Sequence, residues 1–446
     1  MAAADRLAAN LNFGAFGKAT ELKKRLWFTL GALVIYRLGT YIPIPGIDQQ
    51  VFSDYFSQQA GGILGWFNAF AGGAVERMTI FALNIMPYIS AAIIMQLMTA
   101  VSPKLEQLKK EGEAGRKKIN QYTRYGTVVL ATVQAYGIAV GVEGITTSSG
   151  AAVPDPGFFF RFSTVVTLVG GTVFLMWLGE QITARGVGNG ISLIIFAGIV
   201  ASMPLSIAQL FEMGRRGALS TVWIIAVIVV AVGVIAFVVF MERAQRRIVV
   251  QYPKRQQGNK MTGGESSHIP LKLNTSGVIP PIFASSLLLM PVTVAGFSGG
   301  QGPEWLGFIN AYLGRGTTGF LIVYVSLIAF FAFFYTAIVF NPAETADNLR
   351  KYGGFVPGIR PGKNTADYLD FVLSRITTVG ALYLCAVCVL PEILIAELAV
   401  PFYLGGTSLL IVVSVTMDTT AQIQGHLLAH QYEGLIKKSR LRGKRR

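Results

Sequence analysis

The chain has 446 residues, of which 52% are hydrophobic and only 14% charged, and its mean hydropathy is +0.52. A soluble domain carries about 25% charged residues, so this composition excludes a soluble protein and requires that most of the chain meet lipid or other apolar helices. In that setting the excess of 38 Lys and Arg over 23 Asp and Glu sets membrane orientation and attracts anionic lipids or partners; it does not mark a nucleic-acid binder.

In chain order, residues 1–24 are a basic segment without a charged n-region leading into an apolar core, so the first long apolar run is expected to be a retained span, not a cleaved signal. That run, 25–43, is the first of ten long enough to cross a bilayer, which takes about 20 residues. The others are 80–100, 123–142, 162–181, 189–211, 220–241, 277–297, 319–340, 371–391 and 402–425. Between the first two lies 61–73, an apolar stretch bounded by glycines and too short to span. It either folds back into a protein-lined cavity or lies flat on the membrane surface, and the residues alone leave both open.

Further along, Ile85 and Ile89 stand four apart on the second span, and Ile279 and Ile282 three apart on the seventh. Each pair shares a helix face. Isoleucine is stiff and bulky, so such pairs suit a constriction that excludes water, although isoleucine in a span more often faces lipid or core. The loops 242–276 and 341–370 are too polar for membrane and rich in Gly, Pro and basic residues. They either dock an anionic partner or only signal orientation. Cys385 and Cys388 lie inside the ninth span and read as small apolar residues on one helix face, not as a redox pair. A basic tail, 426–446, closes the chain.

Sorting Lys and Arg by loop gives the topology. With the N-terminus in the cytoplasm, only Arg77, Arg161, Arg215, Arg216 and Arg315 fall on the outer side, Arg37 lies within the first span, and all the rest are cytoplasmic. This predicts both termini inside. Ten spans divide as five plus five, and two such halves face opposite ways, as in inverted-repeat proteins; no residue-level repeat is evident. The domains expected are the segment 1–24, an N-terminal half 25–215, a C-terminal half 216–425 and the tail.

The absences matter too. Gly358 to Lys363 approaches a phosphate-binding loop, but its glycine spacing is short and Asn364 follows the lysine. No His, Cys and carboxylate set suggests catalysis or a metal site. Few ionisable residues fall inside the spans, Arg37 and Asp418 foremost. Ion-coupled transporters place such groups near the midplane, so a passive conduit is the better reading. A secondary transporter with inverted repeats and broken helices is the alternative, and a purely structural membrane scaffold a third.

Several ordered motifs resemble the bacterial SecY family of protein-translocase channels: IFALNIMPYISA at 80–91, KEGEAGRKKI at 110–119, QYTRYG at 121–126, GNGIS at 188–192, GVIPPIFASS at 277–286, the stretch 341–362 and GGTSLLI at 405–411. The resemblance runs over essentially the whole chain. It implies an all-α membrane protein of ten transmembrane helices. These would form two pseudo-symmetric five-helix halves, an inverted repeat, around a central hourglass pore with a plug half-helix. It implies a non-enzymatic channel in the bacterial inner membrane that conducts unfolded polypeptides and releases hydrophobic segments laterally, without cofactor or metal.

Carried over residue by residue, the resemblance gives a pore ring of Ile85, Ile89, Ile195, Ile279, Ile282 and Ile411, and a plug about 61–73 with Ile63, Leu64, Phe67 and Phe70. It also gives a lateral gate with Ser90 and Met290, and docking residues Lys254, Arg255 and Arg360 for SecA or the ribosome. The implied partners are SecE and SecG, the SecA ATPase, the ribosome, signal sequences, nascent membrane proteins and anionic lipids, with YidC and SecDF as further candidates. Two departures are the doubled Pro280-Pro281 and a glycine-rich outer region at 296–316.

Overall fold

The computed structural model describes residues 19–59, 63–147, 150–217, 220–252, 255–257, 260–262, 266–297, 317–398 and 406–443. The first half holds α1 (Thr20–Gly39), α2 (Gln49–Gln59), α3 (Ile63–Ala71), α4 (Met86–Val101), α5 (Pro103–Lys110), α6 (Glu113–Glu143), α7 (Phe158–Arg185) and α8 (Gly190–Arg215), with a small β1 (Thr146–Thr147) and β2 (Gly150–Ala151) ladder. The second half holds α9 (Thr221–Arg243), β3 (Gln245–Gln251), β4 (Arg255–Gln257), β5 (Lys260–Thr262), β6 (Ser266–Lys272), α10 (Ile279–Phe297), α11 (Thr318–Val339), α12 (Pro342–Lys351), α13 (Lys363–Leu398) and α14 (Gly406–Gly443). Each of the ten predicted spans falls on one helix: α1, α4, α6, α7, α8, α9, α10, α11, α13 and α14 in turn. Among the described residues six helices are long and apolar enough to cross a membrane unaided, and a seventh if α4 and α5 count as one bent span.

The apolar residues are distributed as lipid requires. On α9, Val222, Trp223, Ile225, Val229, Val232 and Phe240 are exposed, while Ile224 and Val238 are buried. On α1, Trp27, Leu30, Val34 and Leu38 point outward and Ala32 and Tyr36 inward. A monomer in water does not expose apolar faces of this extent; in a bilayer they cost nothing, and on α1 the inward positions go to a small and a hydrogen-bonding side chain that let helices approach.

The packing repeats between the halves. In the first, α4 packs on α6, α6 on α7, α7 on α8, and α1 on both α7 and α8. In the second, α10 packs on α11, α11 on α13, α13 on α14, and α9 on both α13 and α14. Numbered as spans, these two sets of contacts match; the first half adds a contact of α4 with α7. Most contacts across the halves respect the same pseudo-two-fold: α4 meets α10, α8 meets α14, and α8 against α9 is matched by α14 against α1, whereas the packing of α6 on α10 breaks it. Charged forks brace the first half at both ends. Arg124 donates to Glu180 at 2.9 and 2.7 Å, and Arg161 to Glu143 at 2.7 Å.

Boundaries moved where local chemistry outweighs hydropathy. The second span was expected from residue 80, but α4 starts only at Met86, because Met78 and Asn84 sit at positive φ, 43° and 49°, and hold the preceding stretch in turns. The same helix ends at Val101, where Ser102 ahead of Pro103 is extended, at φ −93° and ψ 118°, and α5 leaves at 99° to it. Pro280 and Pro281 fall in the first turn of α10, where a missing N–H is harmless.

Candidate functional site

Helices from both halves converge on one constriction. Ile85 caps the start of α4 and Ile89 stands one turn into it; Ile195 comes from α8, Ile282 from α10 and Ile411 from α14. Together these five side chains line a cavity of about 10 Å³, with Phe70, Asn84, Met86, Ser285 and Ser286 completing its wall. That is the lower limit for a single water. Five β-branched side chains with restricted rotamers therefore meet almost without free space, and the few polar atoms nearby cannot replace an ion's hydration shell. Ile279, at the first residue of α10, packs against the same core but is not among the residues lining the cavity.

Beside the constriction lies α3. Its nine residues span about 13 Å, under half of a bilayer's roughly 30 Å core. It packs on α8 and α10, with Ala69, Phe70 and Ala71 buried, so it folds back into the protein and does not lie on the membrane surface. Ile63, Leu64 and Phe67 are on this helix, their side chains outside the described ones. Its C-terminal end is held by three side chains. Asn84 Nδ2 donates to the Phe70 carbonyl at 2.9 Å, the Tyr36 hydroxyl to Ala71 at 3.4 Å, and Arg37 Nη1 to Gly72 at 2.7 Å. Arg37 also donates from Nη2 to the Tyr41 hydroxyl at 2.9 Å and lies over the Tyr41 ring.

The seam between α4 and α10 is lightly joined. Ser286 Oγ donates to Met86 Sδ at 3.9 Å across it. Ser90 is buried on α4, its hydroxyl without a hydrogen-bond partner; Met290 lies on α10 with its side chain outside the described ones. Among the described residues no polar network locks this face shut.

The two basic loops form one module. β3 and β6 pair antiparallel from Gln245↔Lys272 to Gln251↔Ser266, and β4 pairs with β5 at their tip. Gln251 then exchanges both backbone hydrogen bonds with Phe355 of the other loop, at 2.9 and 3.0 Å. Ile248, Val250, Leu271, Val356, Leu369, Val372 and Ile376 make a core separate from the membrane bundle. Arg360 is exposed on this module, its carbonyl accepting from Thr365 Oγ1 at 3.0 Å. Arg255 begins β4, and Lys254 lies outside the described residues. Among the described residues no group of three or more His, Cys, Asp or Glu side chains is placed to hold a metal ion.

Comparison with known proteins bears on this arrangement. The SecY family model matches residues 79–420. The chain is 56% identical over 422 residues to protein translocase subunit SecY of Rickettsia conorii, covering 95% of this chain and 97% of that one. The chain belongs to the SecY family. Against protein translocase subunit SecY of Escherichia coli K12 the identity is 56% over 430 residues, covering 96% and 97%. The fold matches a solved protein-conducting channel with a TM-score of 0.66 at 18% identity, covering 91% of this chain and 92% of that one. This SecY-family chain is thus a multi-pass membrane protein with the fold of a protein-conducting channel.

Sequence reasoning missed the polar residues around the SecY-family constriction. Asn84, Ser285 and Ser286 line the cavity, and Tyr36 and Arg37 hold the short helix. Arg37 alone carried a signal, as an ionisable group inside a span. Asn84 carried none, because its role depends on a positive φ and on a carbonyl 14 residues earlier.

Proposed function

We propose that this chain is the central channel subunit of a bacterial protein translocase, conducting unfolded polypeptides across the inner membrane and releasing hydrophobic segments sideways into the bilayer. The observation that carries this reading is the constriction. Five isoleucines from four helices and both halves close to about 10 Å³, with a short apolar helix packed beside them. Such a waist can widen around an extended chain by side-chain displacement, yet it excludes ions when empty because it offers no polar lining to replace hydration. Ile279 joins the ring if α10 shifts by part of a turn on opening.

In this reading α3 is the plug, and the α4–α10 seam, with Ser90 and Met290, is the lateral gate. A signal helix gains roughly 25 cal/mol per Å² by leaving water once that seam parts. The halves 25–215 and 216–425 move against each other about the opposite side, where α8 meets α9 and α14 meets α1. Both termini and the basic module face the cytoplasm. Lys254, Arg255 and Arg360 dock SecA or the ribosome, which supplies the energy; the chain itself is not an enzyme. SecE and SecG complete the complex, anionic lipids meet the basic loops, and YidC and SecDF act on the same substrates.

Vesicles containing the chain with SecE and SecG test this. With SecA and ATP they are expected to import an unfolded secretory precursor. Failure to do so, together with small-solute uptake by the chain alone, would favour the secondary-transporter reading.

A further inference from the structure

We propose that Asn84, Tyr36 and Arg37 form a latch on the C-terminal end of α3, and that Asn84 is the positioning residue that sets the balance between its seated and displaced states. The inference rests on reading α3 as the plug. A helix leaves its last four carbonyls without helical partners. Here the turn after α3 serves three of them: Gly73 N–H reaches Asn68 at 3.1 Å, Gly72 N–H reaches Ala69 at 3.4 Å and Ala74 N–H reaches Ala71 at 3.3 Å. Side chains from elsewhere in the fold complete the set: Asn84 reaches the Phe70 carbonyl and Arg37 that of Gly72, and Tyr36 adds a second donor to Ala71. The guanidinium stands at the negative end of the helix dipole, the favourable place for a cation.

Asn84 differs from the other two. It adopts φ 49°, a left-handed conformation that glycine takes freely and that asparagine tolerates better than most residues. Its Nδ2 is used by the plug, but its Oδ1 is buried without a partner, and the residue lines the constriction itself. A half-satisfied buried amide penalises the closed state. Displacing the plug wets the constriction and solvates that oxygen. The same side chain therefore holds the plug by one hydrogen bond and favours its release through its unpaired oxygen, which keeps the latch reversible.

The seat is also fitted closely on the other side. A Cβ on Gly198 of α8 would stand 2.6 Å from the Phe70 carbonyl and 3.0 Å from the Tyr36 hydroxyl. One methyl there must push the latched carbonyl away without touching Asn84.

The test uses the full chain with its small partner subunits in vesicles, reading iodide efflux through the resting channel and import of a precursor with a defective signal sequence. Asn84→Gly keeps the backbone conformation and deletes the amide. It is expected to raise resting efflux about tenfold, equivalent to about 1.4 kcal/mol, and Asn84→Asp, which sets a carboxylate against the Phe70 carbonyl, at least as much. Gly198→Ala should give the same phenotype and stands in if the Asn84 variants fail to assemble. In a background lacking residues 63–71, Asn84→Gly should add nothing, since its partner is gone. Unchanged efflux in the seated-plug background would overturn the latch. So would an equal increment without the plug, which would place the effect in the constriction wall. Import of a normal precursor by the wild-type complex is read in parallel, so a failure of the channel reading is seen separately from a failure of the latch.

Discussion

Single side chains decide how tight the closed constriction is. Ile411 is almost fully buried and Ile282 partly so, and both line the same cavity. Replacing either by Asn sets an amide among aliphatic neighbours, where an unpaired polar group costs roughly 1–3 kcal/mol. That cost is relieved by water, so the closed pore should hydrate more readily. Resting ion efflux is expected to rise in Ile282→Asn and in Ile411→Asn, with export of precursors bearing weak signals. No change in either variant would remove the isoleucines from the gating role. These residues were readable as isoleucines at helical spacing, but spacing could not say that Ile195 and Ile411, on other helices, meet Ile85 and Ile89.

At the scale of elements, the α4–α10 seam and the basic module make different demands. The seam's described polar contact is the Ser286 to Met86 approach at 3.9 Å. Cysteines introduced at both positions should cross-link with a short bifunctional reagent. The cross-linked protein should lose export, which cleavage of the linker restores, while neither single variant responds. Cross-linking with undiminished export would show that the seam does not open.

In the basic module, the β3–β6 hairpin and the 341–370 loop share a core around Val250 and Val356, so exposed charges stand on a rigid frame. Arg360→Glu reverses one of them without touching that core. SecA-driven export should fall severalfold and recover in part with excess SecA, which offsets a weakened affinity by mass action, while thermal stability stays within about 0.5 kcal/mol of wild type. Normal export at moderate salt would exclude Arg360 from docking. From sequence these loops looked long and polar; that they pair through Gln251 and Phe355 is a non-local fact invisible to composition.

The whole molecule is two halves with one packing scheme. Closely matching span-to-span contacts in both, with cross-half contacts that mostly follow the same pseudo-two-fold, are what an inverted five-plus-five repeat produces, although no residue-level repeat betrays it. The proposed orientation rests on the charge asymmetry between loops. Single cysteines at Lys110, Arg255 and Arg360 should react with an impermeant thiol reagent only from the cytoplasmic side, and one at Asp155 only from outside. Reversed labelling at any of the four would overturn the orientation.

The sequence by itself determined the membrane environment, the apolar run that each of ten helices contains, though not where those helices begin and end, the short apolar segment between the first two spans, and the family. These depend on hydropathy run length, charge asymmetry and ordered local motifs, all written in contiguous residues. Only the tertiary structure decided that 63–71 folds back into the protein, that five isoleucines from four helices share one cavity of about 10 Å³, and that Asn84, Tyr36 and Arg37 hold three consecutive carbonyls. Those facts are distances between residues far apart in the chain. A positive φ at Asn84 and the bare backbone of Gly198 set them, and neither hydropathy nor helical periodicity records a backbone angle or a missing methyl group.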